Sequence, residues 1–184
     1  GREEDARQHY QSMREQAVAA HSRMLESFAL LGIAGQERRL RHYDLSQKLA
    51  EQAIDALSAI GSPFALNHAK FSLADLFRER GDHARAVALL DEIIRDYENR
   101  PNRIAQWYAM TARSINQEAL GRTEQARADA QRAYALARDI NFPLYLSESA
   151  RRMASIAASE GDPRRAYQLS VEAAEMASKA ARER

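Results

Sequence analysis

The stretch AKFSLADLFRERGDHARAVALLDEII, residues 69 to 94, holds a glycine with small and apolar residues at set distances on either side. Leu73 and Ala74 lie eight and seven places before Gly81, and Ala86, Leu90 and Ile93 lie five, nine and twelve places after it. Spacings of four and three put Ala86, Leu90 and Ile93 on one face of a helix. Leu73 and Ala74 belong to a second helix that ends at the glycine. The segment reads as helix, turn, helix, with small side chains where two backbones approach. The same turn returns as GRTEQARADA at Gly121 and GDPRRAYQLS at Gly161, a period of 40 residues.

Placing Gly1, Arg41, Gly81, Gly121 and Gly161 in one column extends the pattern over the whole chain. Five places on stand Ala6, Ser46, Ala86, Ala126 and Ala166, all small. Nine places on stand Tyr10, Ala50, Leu90, Ala130 and Ser170, and twelve places on Met13, Ala53, Ile93, Ala133 and Ala173. Before each turn, a small column of Ala34, Ala74, Ser114 and Ala154 adjoins a column of Ile33, Leu73, Arg113 and Met153. Helix stops fall between one pair and the next: GSP at 61 to 63, NRPN at 99 to 102 and NFP at 141 to 143. Ser62 before Pro63 and Asp162 before Pro163 are expected N-caps, each followed by a proline whose missing N–H costs nothing in a first turn.

Helices are therefore expected at 2 to 20, 23 to 40, 43 to 60, 64 to 80, 83 to 98, 103 to 120, 123 to 139, 144 to 160 and 163 to 182. One helix pair cannot cover its own apolar face and must stack on the next. The expected fold is all-α: a right-handed superhelix of antiparallel helix pairs, an α-α solenoid of about nine helices. It forms a single domain over 1 to 184, with a partial repeat at 1 to 20 and pairs at 23 to 60, 64 to 98, 103 to 139 and 144 to 182. Residues 1 to 20 align with 121 to 140 as the second helix of a pair lacking its first, and VEAAEMASKAARER at the other end carries no stop signal. Both features lead us to expect a fragment of a longer protein.

Composition narrows the function classes. The 184 residues carry 27 basic and 26 acidic side chains, a net charge of +1, without blocks of one sign. That balance lacks the electrostatic footprint of nucleic-acid or acidic-membrane binding, so this domain is expected to bind neither. There is no cysteine, hence no disulfide or thiolate site, which fits a cytoplasmic protein. Alanine fills 36 positions against seven glycines and four prolines, a balance that favours helix. His9, His21, His42, His68 and His83 show no metal-ligand spacing, and no phosphate loop or nucleophile elbow is present. The carboxylates of REED and DEIIRDYE read as solvated helix faces. No catalytic residue, metal or cofactor is expected.

The 69 to 94 stretch resembles a tetratricopeptide repeat, with Leu73, Ala74, Phe77, Gly81, Ala86 and Ile93 on the family's signature spacing. The resemblance covers essentially the whole chain. Its 40-residue pitch, and endings such as ALARDINFP, are more similar to the longer repeats of MalT-like bacterial regulators. Arg41 in place of the turn glycine and Arg113 at a packing position depart from the family pattern.

The resemblance implies that the first helix of each pair lines a concave, partner-binding side. One stripe there reads Phe28, Leu31, Gly35 and Arg38, then His68, Phe71, Asp75 and Arg78. It continues as Tyr108, Thr111, Ile115 and Glu118, then Glu148, Arg151, Ser155 and Ala158. Aromatic and arginine anchors with charged neighbours suit an extended peptide or an amphipathic helix. Family members that clamp a chaperone's C-terminal carboxylate do so with Lys and Asn, and Phe28, Leu31, Gly35, His68, Phe71 and Asp75 at the matching positions supply no such clamp. The expected function is a non-catalytic scaffold for a protein or peptide, the sensory or interaction module of a larger bacterial signalling or regulatory protein. The alternative is an assembly device in which the terminal helices stack on further copies of the chain.

Overall fold

The computed structural model describes residues 2 to 182, with side chains from residue 8 onward. Among them stand nine α-helices and no strand: α1 (Arg2–Ala19), α2 (Arg23–Arg39), α3 (Tyr43–Ile60), α4 (Pro63–Glu79), α5 (His83–Asn99), α6 (Arg103–Ala119), α7 (Thr123–Ile140), α8 (Pro143–Ser159) and α9 (Pro163–Arg182). Every end falls within one residue of its expected place. The chain divides into two compact units, Gly1–Leu89 and Leu90–Arg184, with the division inside α5. In the first, α1 packs on α2, α2 on α3 and α4, and α3 on α4. In the second, α6 packs on α7, α7 on α8 and α8 on α9.

The turns set the beat. His21, Arg41, Gly61, Gly81, Gly121, Asn141 and Gly161 all take a left-handed backbone, φ between 52° and 79°. Inside the pairs this residue closes the helix with two backbone bonds: at Gly81, its own N–H reaches Arg78 O at 3.1 Å and the N–H of Asp82 reaches Phe77 O at 2.8 Å. Arg41 builds the same cap, with 3.0 Å to Arg38 O and 2.9 Å from His42 N to Glu37 O. It differs from glycine in chemistry but not in conformation. A Cβ on Gly121 would meet open space, so replacement there is opposed by backbone strain alone. Gly121→Val is expected to cost about 1 to 2 kcal/mol, whereas Arg41→Gly leaves stability unchanged or raises it by up to about 1 kcal/mol. Denaturant midpoints that fall equally in both variants would contradict this account.

The turn at 99 to 102 departs from the others. Pro101 cannot take a positive φ, and it pushes the preceding residue toward extended geometry. Asn102 then caps α6, its Oδ1 accepting from Ala105 N at 3.0 Å, and Gln106 Nε2 donates to Tyr97 O at 2.7 Å. Asp162 caps α9 as expected, accepting from Arg165 N at 3.0 Å. Ser62 holds the N-cap position before Pro63, but its hydroxyl accepts no capping bond. Ser22, with nearly the same backbone angles, does cap, its hydroxyl oxygen accepting from Leu25 N at 3.4 Å.

The small columns lie where the helices cross. Ser46, Ala50, Ala53, Ala86, Leu90, Ile93, Ala126, Ala130, Ala133 and Ala173 are buried, as are Ala34, Ala74, Ser114 and Ala154 before the turns. Tyr10, Met13 and Ala166 are half-buried and Ser170 is exposed, while the side chain of Ala6 lies outside the described residues. Two serines show that both columns meet at one crossing. Ser46 Oγ donates to Ala34 O at 2.8 Å, and Ser114 Oγ donates to Ala126 O at 2.6 Å, the same bond made from opposite sides. Such an approach leaves no room for a longer side chain. Ala86→Leu or Ala126→Leu is expected to cost on the order of 1 to 3 kcal/mol, read as a lower denaturant midpoint.

Arg113 explains itself in the same register. The column eight places after each turn reads Leu49, Leu89, Asp129 and Leu169, so the one basic packing residue faces the one acidic residue. Arg113 donates to both Asp129 oxygens at 2.7 and 2.6 Å and to Asp91 Oδ1 at 2.6 Å. The bonds to Asp129 push the guanidinium's pKa further up, against the pull of burial. On α7 and α9, Tyr134 donates to Glu172 at 2.6 Å, and burial first, then that bond, push its phenol up to about 12.

Candidate functional site

In the first unit, α2 and α4 carry the first half of the stripe. Leu31 is 6% exposed and forms part of the core. It is therefore a packing residue and not a partner contact, because its position on α2 faces the helices packed around it. Phe28, Gly35 and Phe71 are half-buried, and His68 is exposed. Arg38, Asp75 and Arg78 come together: Asp75 lies 3.5 Å from Arg38 and 3.4 Å from Arg78, with Glu79 3.7 Å from Arg38 and 3.9 Å from Arg78. Pairs this exposed stabilise by about 0 to 1 kcal/mol. They hold the two guanidiniums in place while leaving Asp75 accessible. Apart from the stripe, α1, α2 and α3 border a cleft of 350 Å³ lined by Arg14, Arg23, Glu26, Ser27, Leu30, Gln52 and Ala56.

In the second unit, α6 and α8 carry the other half. Tyr108 is 48% and Ile115 40% exposed, and Glu148, Arg151 and Ser155 are exposed on α8. Thr111 is half-buried. Glu118 has a structural partner, Arg152, whose Nη1 donates to it at 2.6 Å. The same guanidinium donates to Ser114 Oγ and Ser114 O, both at 2.9 Å, and so ties α8 to α6. Trp107 is fully buried with its Nε1 donating to Ser149 Oγ at 2.6 Å. Sequence reasoning singled out neither Arg152 nor Trp107. Their partners lie 42 residues after Trp107 and 38 and 34 residues before Arg152, off the 40-residue register, so the repeat spacing does not point to them.

Tyr108 stands in a polar and aromatic setting at once. Burial raises its phenol pKa, and the neighbouring Tyr145 and Glu148 raise it further. Among the described residues no group of three or more His, Asp or Glu is placed to hold a metal ion. No helix among them is long and apolar enough to cross a membrane.

No family model matches the chain, and no curated protein sequence matches it. Solved structures do. BtubC (BKLC) from P. vanneervenii matches with a TM-score of 0.85 at 15% identity, covering 97% of this chain and 74% of that one. The nearly identical TPR-like repeats assigned to a kinesin light chain of Podosopora anserina match with a TM-score of 0.73 at 15% identity, covering 96% of this chain and 93% of that one. The fold is that of a tetratricopeptide-type repeat domain. A Rap protein complexed with Competence and Sporulation Factor shares it, with a TM-score of 0.77 at 17% identity over 92% of this chain and 48% of that one.

Proposed function

We propose that the chain is a non-catalytic scaffold that takes a peptide or protein segment along α6 and α8 of the second unit, as a sensory or interaction module of a larger bacterial regulatory protein. The observation that carries this reading is the exposed row on α6 and α8: Tyr108, Ile115, Glu148, Arg151 and Ser155 face outward while Trp107, Met110, Ser114, Ala150 and Met153 on the same helices are buried. Large aromatic and aliphatic groups left open beside fixed charges supply anchors and register together. The complex of a Rap protein with Competence and Sporulation Factor supports a binding role for such a fold.

Peptides selected from a display library against the chain provide the test. Buried aromatic and arginine anchors contribute about 2 kcal/mol or more each, so Tyr108→Ala or Arg151→Ala is expected to weaken capture about thirtyfold, with circular dichroism and melting unchanged. Full binding by a folded Tyr108→Ala, Arg151→Ala double variant would overturn the reading. The assembly alternative has an observation of its own on α9, where Tyr167 is 72% exposed and Val171, four residues on, is also open. A concentration-dependent sedimentation coefficient that Tyr167→Arg abolishes would favour it.

A further inference from the structure

Four aromatic rings gather at the N-terminal ends of α6 and α8. Tyr145 sits at their centre, its ring centroid 4.5 Å from Trp107, 5.9 Å from Tyr108 and 5.1 Å from Phe142. Trp107 and Tyr108 also meet edge to face at 4.6 Å. The bond from Trp107 to Ser149 anchors the cluster to the core, so the outer rings stand on a fixed base. Phe142, Tyr145 and Glu148 follow one another at intervals of three along the start of α8, which places them on one side of the helix. Tyr108 and Phe142 remain 48% and 46% exposed.

Glu148 is the decisive neighbour. It is exposed, and it pairs with no arginine or lysine among the described residues. Its charge nevertheless reaches Tyr108, whose phenol it helps to hold above the ordinary tyrosine range. A purely apolar anchor docked on these rings would strip water from an unpaired carboxylate, which is costly. An acidic anchor would be repelled by it. A cation gains twice, from the negative faces of the rings and from the carboxylate. We propose that Tyr108, Phe142, Tyr145 and Glu148 form a pocket for a cationic side chain, an arginine or lysine of the segment that the scaffold binds. This assignment rests on the scaffold reading and names the chemistry of its partner. Arg151, three residues beyond Glu148, is itself positive, so the cation is followed on that side by a neutral or acidic residue.

The chain has a single tryptophan, and it is the base of the cluster, so its fluorescence reports on the pocket. The probes are acetyl-Gly-Arg-Gly amide and the same peptide with citrulline, which keeps the shape of arginine without its charge. Titration into the full chain, followed by Trp107 emission and by amide shifts of residues 104 to 108 and 142 to 148, is expected to show saturable binding of the arginine peptide. The citrulline peptide should bind at least about fivefold more weakly, Glu148→Gln and Tyr108→Leu should each lose a similar factor, and Tyr108→Phe should keep binding. Equal binding of the two peptides, no response to arginine up to its solubility limit, or an unaffected folded Glu148→Gln variant each overturns the pocket. The two readings fail separately. Display-selected peptides that depend on Tyr108 but tolerate loss of every Arg and Lys leave the scaffold and remove the pocket; no selected peptide at all, with arginine still bound through Glu148, removes the scaffold and leaves the pocket.

Discussion

Replacing Arg113 by leucine is expected to lower stability by about 3 to 5 kcal/mol, while replacing Arg113 and Asp129 together by leucine restores most of the loss. The single change leaves a carboxylate that is 5% exposed without its counter-charge. A buried ion without a partner costs far more than a pair contributes when both members are present. Asp91, on the other side of Arg113, is 43% exposed and can be hydrated instead. The double change installs the apolar contact that the other repeats already use, where Met153 and Leu169 pack in one cluster with Ala130 and Ile156. Denaturant unfolding of the four-member cycle gives the coupling between the two sites directly. A double variant less stable than Arg113→Leu alone would show that the pair holds something other than its own charges.

Trp107→Ala is expected to cost about 3 to 5 kcal/mol, the range for emptying a fully buried tryptophan site. Two losses add. The indole volume leaves a cavity between α6 and α8, and the Ser149 hydroxyl loses its donor in a buried setting. Trp107→Phe separates them, because it fills much of the space without the N–H, and is expected to retain over half of the stability lost in the alanine variant. Since both variants remove the fluorophore, the unfolding curves are followed by circular dichroism. A Trp107→Ala variant within about 1 kcal/mol of the parent would mean that the helices close over the gap.

The helices were legible because their punctuation is repeated: six of the eight turns are announced by glycine, asparagine or proline, those at His21 and Arg41 being the exceptions, and the small columns recur at one offset. Arg41 shows where residue identity misleads, since the fold asks for a conformation that an arginine can be made to adopt. The departure at Arg113 was visible, but its resolution lay in a second column, and only a side-by-side reading of residues eight before and eight after each turn brings Asp129 into view. The stripe was less legible. Its spacing identified one side of each first helix, yet whether a residue on that side is open depends on what neighbouring helices cover, which sank Leu31 and left Tyr108 exposed. Ion pairing was half hidden: Asp75 and Arg78 stand three apart on α4, a spacing the sequence displays, but Arg38 reaches the same carboxylate from α2, and nothing local reveals that contact.

The left-handed turns have a consequence for how such a chain can change length. Helix follows helix at a count of twenty, from His21 through Arg41 and Gly61 to Gly81, and again from Gly121 through Asn141 to Gly161. One residue inserted within a helix rotates everything after it by about 100°, carrying Ala50, Ala53 and their equivalents out of the crossings. The capped turns are no more forgiving, because each closes its helix with backbone bonds of fixed span. At 99 to 102 the constraint lapses: Asn99, Arg100 and Pro101 are exposed, and α6 restarts from its own cap at Asn102. Insertions and deletions inherited by related chains should therefore collect there, and an inserted tag should be tolerated at Arg100 when it is not tolerated two turns away.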